Sequence, residues 1–519
     1  MARLAIDRVR ERAARAFERK ARQDGLTDEV LRHVLPGRSA EAQRGQGPVQ
    51  VEIYDSTSQA SGARFANRMQ ADFMPAYQRN FELQPGPLLT NFPDLHDEMV
   101  RNLEPVNAVI NALTWTGGFV SACHECFQDL IVGRMVLAVM EGQGRDPVDF
   151  FCIPQHTVAL EDGPTGKPWG VYEKRTMKGR MIKELWPDAE LPAELVKKID
   201  NQDDLDCEVL VAFYYDQKDR LWFYDVLFGD KKDGGRIVER EYQTQAMIPS
   251  RWLKAPGDPC GYGPGTIGLP DMRVLNAVQE MALQAAALAI AGVYLGRDDG
   301  VLNPDMVVIE PNAVIPVGMT GPQRSLEPLE TGRNFDIAQF VSEDLRVQIR
   351  KVMLDNQLPP DTAAVKSATE ILQRMKELAQ DTGAAFGRLA DEFVEPLVER
   401  LIEIAFRKGL ISTKVELNPL LVRVQILSPL ARLQKIADVE AVVQVMMIAR
   451  EIGGEEGALL AVKVEDLIPW IAEQLGMLPR FIRTAQERAE IQQTIGQAAA
   501  QQMQQPEIPV GEGQIKEAA

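Results

Sequence analysis

A chain of 519 residues is longer than one compact core usually organises, and size alone predicts roughly three or four units. Its composition, 45% hydrophobic and 25% charged, excludes a disordered or fibrous protein. Fifty-seven Lys and Arg against 75 Asp and Glu leave a net charge of −18, the opposite of the basic patch with which a compact DNA-reading domain neutralises phosphates.

That acidic balance serves solubility, or a surface that meets DNA without holding it, because like charges suppress sticking. Five cysteines, an odd number spread along the chain, form no disulfide framework and point to a reducing compartment. The first 22 residues hold eight Arg or Lys and three acidic residues without an apolar stretch, so a solvated helix is expected there rather than a signal peptide or mitochondrial presequence.

In chain order, apolar positions Leu4, Val9, Ala13, Ala16 and Phe17 among charges predict helix through about residue 35, ended by Pro36-Gly37. Val49 to Tyr54 reads as a strand, and Asp55 or Ser56 can cap a helix running to about Met74. A second helical block is expected from about Asp94 to Leu137. Phe150 to Ile153, Trp169 to Tyr172, Cys207 to Tyr215 and Leu221 to Leu227 are β-branched and aromatic and lie between turns, so 143–250 reads as a mostly antiparallel sheet region.

Helix is expected again from Leu269 to about Tyr294, then a proline-broken, β-prone insert, then helix from Phe335 to before Asn356. Pro359-Pro360 cannot continue a helix. A long helix follows over about Ser367 to Lys408, kinked at Pro396, and the last third is helical up to a Gln/Ala-rich tail at 496–519. Met281 to Gly296 gives 16 uncharged residues, short of the roughly 20 that span a membrane.

The motifs with chemical overtones dissolve under their own requirements. Cys123-His-Glu-Cys126 could hold half a zinc site, but a structural site needs four ligands and no second pair exists, so buried thiols are expected. Gly163-Pro-Thr-Gly-Lys167 is two residues short of a phosphate loop and is followed by Pro168, so it reads as a hairpin turn. Gly261-Tyr-Gly-Pro-Gly265 lacks a βαβ setting and reads as a rigid turn feeding a helix. Four histidines show no catalytic context. No catalytic residue, cofactor or metal is expected.

Several segments, in order, resemble the head-to-tail connector (portal) family of short-tailed, podovirus-type phages. They are Ile53 to Thr57 with Ala63 to Met69, Arg251-Trp252, Gly261 to Gly265, and Leu269 to Asn276. Ala368 to Ile371 with Arg374, Gly387 to Leu389, Glu395 to Leu397 and Arg400 continue the series. The match spans roughly 50–410. It departs at Lys366 to Glu370, where a Thr-Ala-Thr-Glu-like helix start is expected.

The resemblance implies an α+β, mainly helical, portal-type fold with wing, stem, clip and crown, in a ring of about twelve copies. The implied parts are an N-terminal arm and wing at 1–265, stem helices at 266–296 and 335–355 around a clip at 297–334, and a tunnel loop at 356–367. A long wing helix and connection follow at 368–425, then a crown at 426–495. The ring would sit at one capsid vertex of a virion assembled in the host bacterial cytoplasm. Its partners would be the large terminase, a tail adaptor protein, capsid and scaffolding proteins, and double-stranded DNA passing without sequence recognition, with no membrane. Asn356, Gln357, Asp361, Thr362 and Lys366 in the loop, with Arg346, Arg350 and Lys351 on the stem, are the DNA-channel candidates, ordinary inter-subunit salt bridges being the alternative for the cations. The rival reading of the whole chain is a non-phage helical scaffold or membrane-associated oligomer.

Overall fold

The computed structural model describes residues 3–39, 52–89, 92–229 and 235–296 with short breaks, then 326–328, 335–355, 383–427 and parts of 439–472. Helix α1 (Ile6–Val34) forms because Val9, Ala13, Ala16, Lys20, Val30, Leu31 and Val34 recur on one buried face. Helix α2 spans Thr57–Asp72. Ser56 is its N-cap residue, and Asp55 just before it accepts the Thr57 N–H at 2.8 Å, satisfying one of the free donors of the first turn. Glu52 to Tyr54, where a strand was expected, is irregular.

Strand β1 (Phe81–Pro85) and helices α3 (Pro93–Leu113) and α4 (Phe119–Leu130) follow. The helical block expected to Leu137 stops early, because Arg134–Glu141 is strand β2. Its run Met-Val-Leu-Ala-Val-Met is buried on both sides, and such a run has no alternation to tell strand from helix. Strands β3 (Val148–Cys152), β4 (Val158–Asp162) and β5 (Pro168–Lys178), helix α5 (Gly179–Leu185), and strands β6 (Asp206–Asp216), β7 (Leu221–Phe228), β8 (Arg236–Tyr242) and β9 (Met247–Arg251) complete an all-antiparallel region. Then come α6 (Pro264–Ala291), the short strands β10 (Tyr294–Gly296) and β11 (Leu326–Pro328), and α7 (Phe335–Val352). A π-helical turn (Ala390–Val394) leads into α8 (Glu395–Arg407), with Pro396 in its first turn, then β12 (Val422–Ile426), and the described residues of 439–452 are again helical.

Strands β4-β5-β6-β7-β8 form a five-stranded meander, and β3-β2-β9 form a second sheet. Both faces of the meander are buried. Val211 and Phe213 point into one core with Val136, Ala138 and Met247 of the second sheet, while Ala212 and Tyr214 point into another with Val9, Ala13 and Ala16 of α1. This two-sided burial follows from the period of two along a strand. Asp225 of β7 lies fully buried on the α1 side, where Arg3 (3.1 Å) and Arg236 (3.2 Å) neutralise it and the Tyr214 hydroxyl donates to it at 2.9 Å. Arg3 thus ties the segment before α1 to the sheet, and Arg12 of α1 itself pairs with Glu161 of β4 at 2.9 Å.

The chain divides into two compact units rather than three or four. One comprises Met1–Ala76 with Thr114–Arg400, the other Tyr77–Leu113 with Leu401–Ala519. In the second unit β1 pairs antiparallel with β12, Leu83 opposite Val424. The other edge of β1 is closed by two asparagines one turn apart on α3. Asn107 takes the Leu83 N–H (2.7 Å) and donates to the Leu83 carbonyl (3.1 Å), and Asn111 takes the Asn80 N–H (3.0 Å) and donates to the Phe81 carbonyl (2.9 Å). Their amides satisfy an edge that would otherwise be buried unpaired.

The expected clip at 297–334 lies outside the described residues except for β11. The loop at 356–367, the first part of the long helix and the tail at 496–519 lie outside them altogether.

Candidate functional site

Helices α6 and α7 make an antiparallel two-helix arm. Gly268 stands against Val352 near one end, the Gln279 amide donates to the Ser342 hydroxyl (2.9 Å) midway, and Tyr294 pairs with Pro328 across β10–β11 at the other. The arm's helix α7 ends in a Schellman-type turn. Leu354 adopts a left-handed backbone (φ 57°), its N–H bonds the Lys351 carbonyl (3.1 Å), and the Asp355 N–H bonds the Arg350 carbonyl (2.8 Å).

Helix α2 locks that end in place. The buried Asp355 carboxylate accepts the Ser61 hydroxyl (2.9 Å) and the Arg64 guanidinium (3.0 Å), and Arg68 donates to the Leu354 carbonyl (2.6 Å). Just before α2, Asp55 accepts from Arg346 Nε and Nη2 at 3.0 and 2.9 Å. Burial by itself would raise the Asp55 pKa, but the Thr57 and Arg346 hydrogen bonds outweigh it and hold the carboxyl below its ordinary value.

The base of the arm is seated by close backbone contact. A Cβ on Gly263 would stand 2.3 Å from the Ile131 carbonyl oxygen, and one on Gly133 (φ 118°) 2.5 Å from the Tyr262 backbone. The glycines of Gly261 to Gly265 therefore serve contact between two chain segments, and α6 begins at Pro264 as the turn reading requires. Asn276 joins α6 to the segment before α2, its Oδ1 accepting the Tyr54 N–H (2.8 Å) and its Nδ2 donating to the Glu52 carbonyl (3.1 Å). Trp252 meets Phe65 edge to face with centroids 5.5 Å apart.

Arg251 is fully buried and holds three elements together. Its guanidinium donates to Asp162 (2.8 Å), to both Glu392 oxygens (3.0 and 2.7 Å) and to the Gly166 carbonyl (3.0 Å). Burial alone would lower its pKa, yet these partners raise it. The π-helical turn sets Glu392 against β9, a contact 141 residues long in sequence that no local pattern announces.

Of the channel candidates, Arg346 is committed inside the subunit to Asp55 and Glu343. Arg350 is half-buried and Lys351 exposed, neither with an ion pair among the described residues. Asn356, Gln357, Asp361, Thr362 and Lys366 lie outside the described residues. Cys123 and Cys126 are fully buried on α4, and burial pushes both thiols up. The Gly163 to Lys167 turn joins β4 to β5 and spends its N–H groups on itself, Gly163 to Lys167 at 2.8 Å and Gly166 to Gly163 at 3.0 Å. Among the described residues no group of three or more His, Cys, Asp or Glu could hold a metal ion, and no helix is long and apolar enough to cross a membrane.

The chain belongs to the bacteriophage head to tail connecting protein family, whose profile matches residues 7–482. Solved structures with a likeness include the virion of a native gene transfer agent particle, at 12% identity over 76% of this chain and 86% of that one, TM-score 0.32. Another is the neck of an empty gene transfer agent particle computed with C6 symmetry, at 13% identity over 74% and 85%, TM-score 0.32. Superpositions that loose align no sites. No curated protein matches the chain.

Proposed function

We propose that the chain is the portal subunit of a phage virion, forming a ring of about twelve copies at one capsid vertex through which DNA is packaged and later ejected. The observation that carries this reading is the α6–α7 arm closed by β10–β11, inside a chain of the connector family. In this reading α6 and α7 are the stem, the excursion between β10 and β11 is the clip, the meander with α1 and α2 is the wing, and residues 426–495 form the crown. The large terminase, a tail adaptor, and capsid and scaffolding proteins dock on the ring, which assembles in the host cytoplasm.

Its work is mechanical. DNA slides through a bore that neither reads nor grips it, helped by the −18 charge per copy, whose repulsion of phosphates reaches about 8 Å at physiological salt. Arg350, Lys351 and the polar loop 356–367 make transient phosphate contacts. Native mass spectrometry and negatively stained images of the full chain test the assembly. A closed ring of about 690 kDa, from twelve chains of 57.7 kDa, is the expected result. Monomer or dimer at every concentration would overturn it.

A further inference from the structure

Two buried cations stand close together where α1 meets β2. Arg134 of β2 is 2% exposed, and its Nε and Nη2 meet no hydrogen-bond acceptor among the described residues. Asp24, the one carboxylate that pairs with it among those residues, lies 4.0 Å from Nη2, too far for a hydrogen bond. Lys20 of α1, 4% exposed, takes the same Asp24 oxygen at 2.7 Å and donates a second bond to the His156 carbonyl at 3.0 Å. Gln155, the residue before, is 3% exposed, and neither its amide nitrogen nor its amide oxygen meets a partner among the described residues.

Neighbouring groups do not supply what the arginine lacks. Asp258 accepts the Gln23 amide and the Cys260 N–H, both at 2.9 Å. Burial pushes the Cys260 thiol up, by more than Arg134 and Lys20 draw it down, so it stays neutral and is no counter-ion. Burial also holds the Lys20 pKa below its ordinary value in spite of Asp24, and the Arg134 charge adds to that. A buried guanidinium with idle N–H groups loses its hydration and regains nothing for it.

We propose that Arg134, Lys20 and the Gln155 amide form a site for a small inorganic anion of single charge, such as chloride, which fastens α1 to β2. Nε and Nη2 are the parallel edge of a guanidinium, the edge with which Arg346 grips Asp55. Lys20 has a third ammonium proton beyond the two it spends, and the Gln155 amide adds an N–H. Because Arg134 and Lys20 share one Asp24 oxygen, their nitrogens are within reach of a single ion. A single charge fits so buried a place, since stripping water from a multiply charged ion costs far more. The site lies within one compact unit and does not depend on the ring reading.

The test compares the full-length protein in potassium chloride and in potassium gluconate, whose anion is too bulky for the site, at one ionic strength. The parent's unfolding midpoint should rise by about 1–3 °C for each tenfold increase in chloride once the site begins to fill. Arg134→Met should abolish that rise. In gluconate it should be at least as stable as the parent, because it removes a buried charge that has no counter-ion there. Gln155→Leu should keep the fold and need at least about threefold more chloride for the same midpoint. A parent midpoint indifferent to the anion would overturn the site, and so would a chloride effect that persists unchanged in Arg134→Met. Crystals grown in bromide give the direct reading, which needs neither variant to fold. An anomalous peak within about 3.5 Å of Arg134 Nε is expected, and water alone at that place sinks the proposal.

Discussion

The Asp355 carboxylate, buried at the end of α7, accepts the Arg64 guanidinium at 3.0 Å and the Ser61 hydroxyl at 2.9 Å, so one acidic side chain ties α2 to the arm. Asp355→Ala should cost about 1–3 kcal/mol, since it strands the buried Ser61 hydroxyl and releases Arg64 while the backbone bonds of the last turn remain. Arg64→Ala, whose side chain is half exposed, should cost less than about 1 kcal/mol. Urea denaturation of both variants checks the order, and a larger loss at Arg64 would show that the carboxylate is not the anchor.

Arg251 carries more. Replacing it with Met leaves Asp162 to Lys254 and Glu392 to Arg388 but removes the buried guanidinium that joins the two carboxylates, a loss that should stay below the roughly 3–5 kcal/mol of a fully stranded buried charge. Arg251→Lys should recover only part of that, because one ammonium cannot reproduce the two-pronged contact with Glu392. Thermal unfolding of the two variants gives the comparison.

The Asp55–Arg346 pair makes a pH-dependent link. Its folded carboxyl is held below the ordinary Asp value, so the stability it adds is fully present above that value and is lost as pH falls through the folded pKa. The stability gap between the parent and Asp55→Asn should therefore be widest near neutrality and shrink in acid. A gap that grew on acidification would contradict the direction of the shift.

Asn107→Ala should destabilise the second unit by about 1–3 kcal/mol, since both the N–H and the carbonyl of Leu83 lose their partner. Hydrogen exchange at the Leu83 amide is the specific readout. It should accelerate in this variant and stay unchanged in Arg251→Lys.

Deleting Gln357 to Ala364 should spare ring formation and reduce the DNA retained in particles, if that loop lines the bore. Particles that fill and hold genomes as the parent does would make the loop an outer surface turn.

Several elements were legible without coordinates. The apolar spacing of Val9, Ala13 and Ala16 writes α1, and the aromatic runs Cys207 to Tyr215 and Leu221 to Leu227 write β6 and β7, because side-chain periodicity reports which faces are buried. Gly261 to Gly265 feeds α6 as expected, with Tyr262 bridging Leu253 and Pro264 already opening the helix. The segments that carry the family resemblance also prove to be neighbours, Asn276 on Tyr54 and Trp252 on Phe65.

Other features belong to the tertiary structure alone. β2 has no period because both its faces are covered, so its run of apolar residues fits helix and strand alike. Arg251 and Glu392 find each other only once a π-helical turn faces β9, and Arg346 becomes a strut to Asp55 only because α2 lies along α7. The two-unit division likewise depends on β1 pairing with β12 across more than 330 residues. Local sequence determines which residues must be hidden and where the chain must turn. Which charge neutralises which, and which apolar faces stay exposed, depends on long-range packing that no short stretch of residues contains.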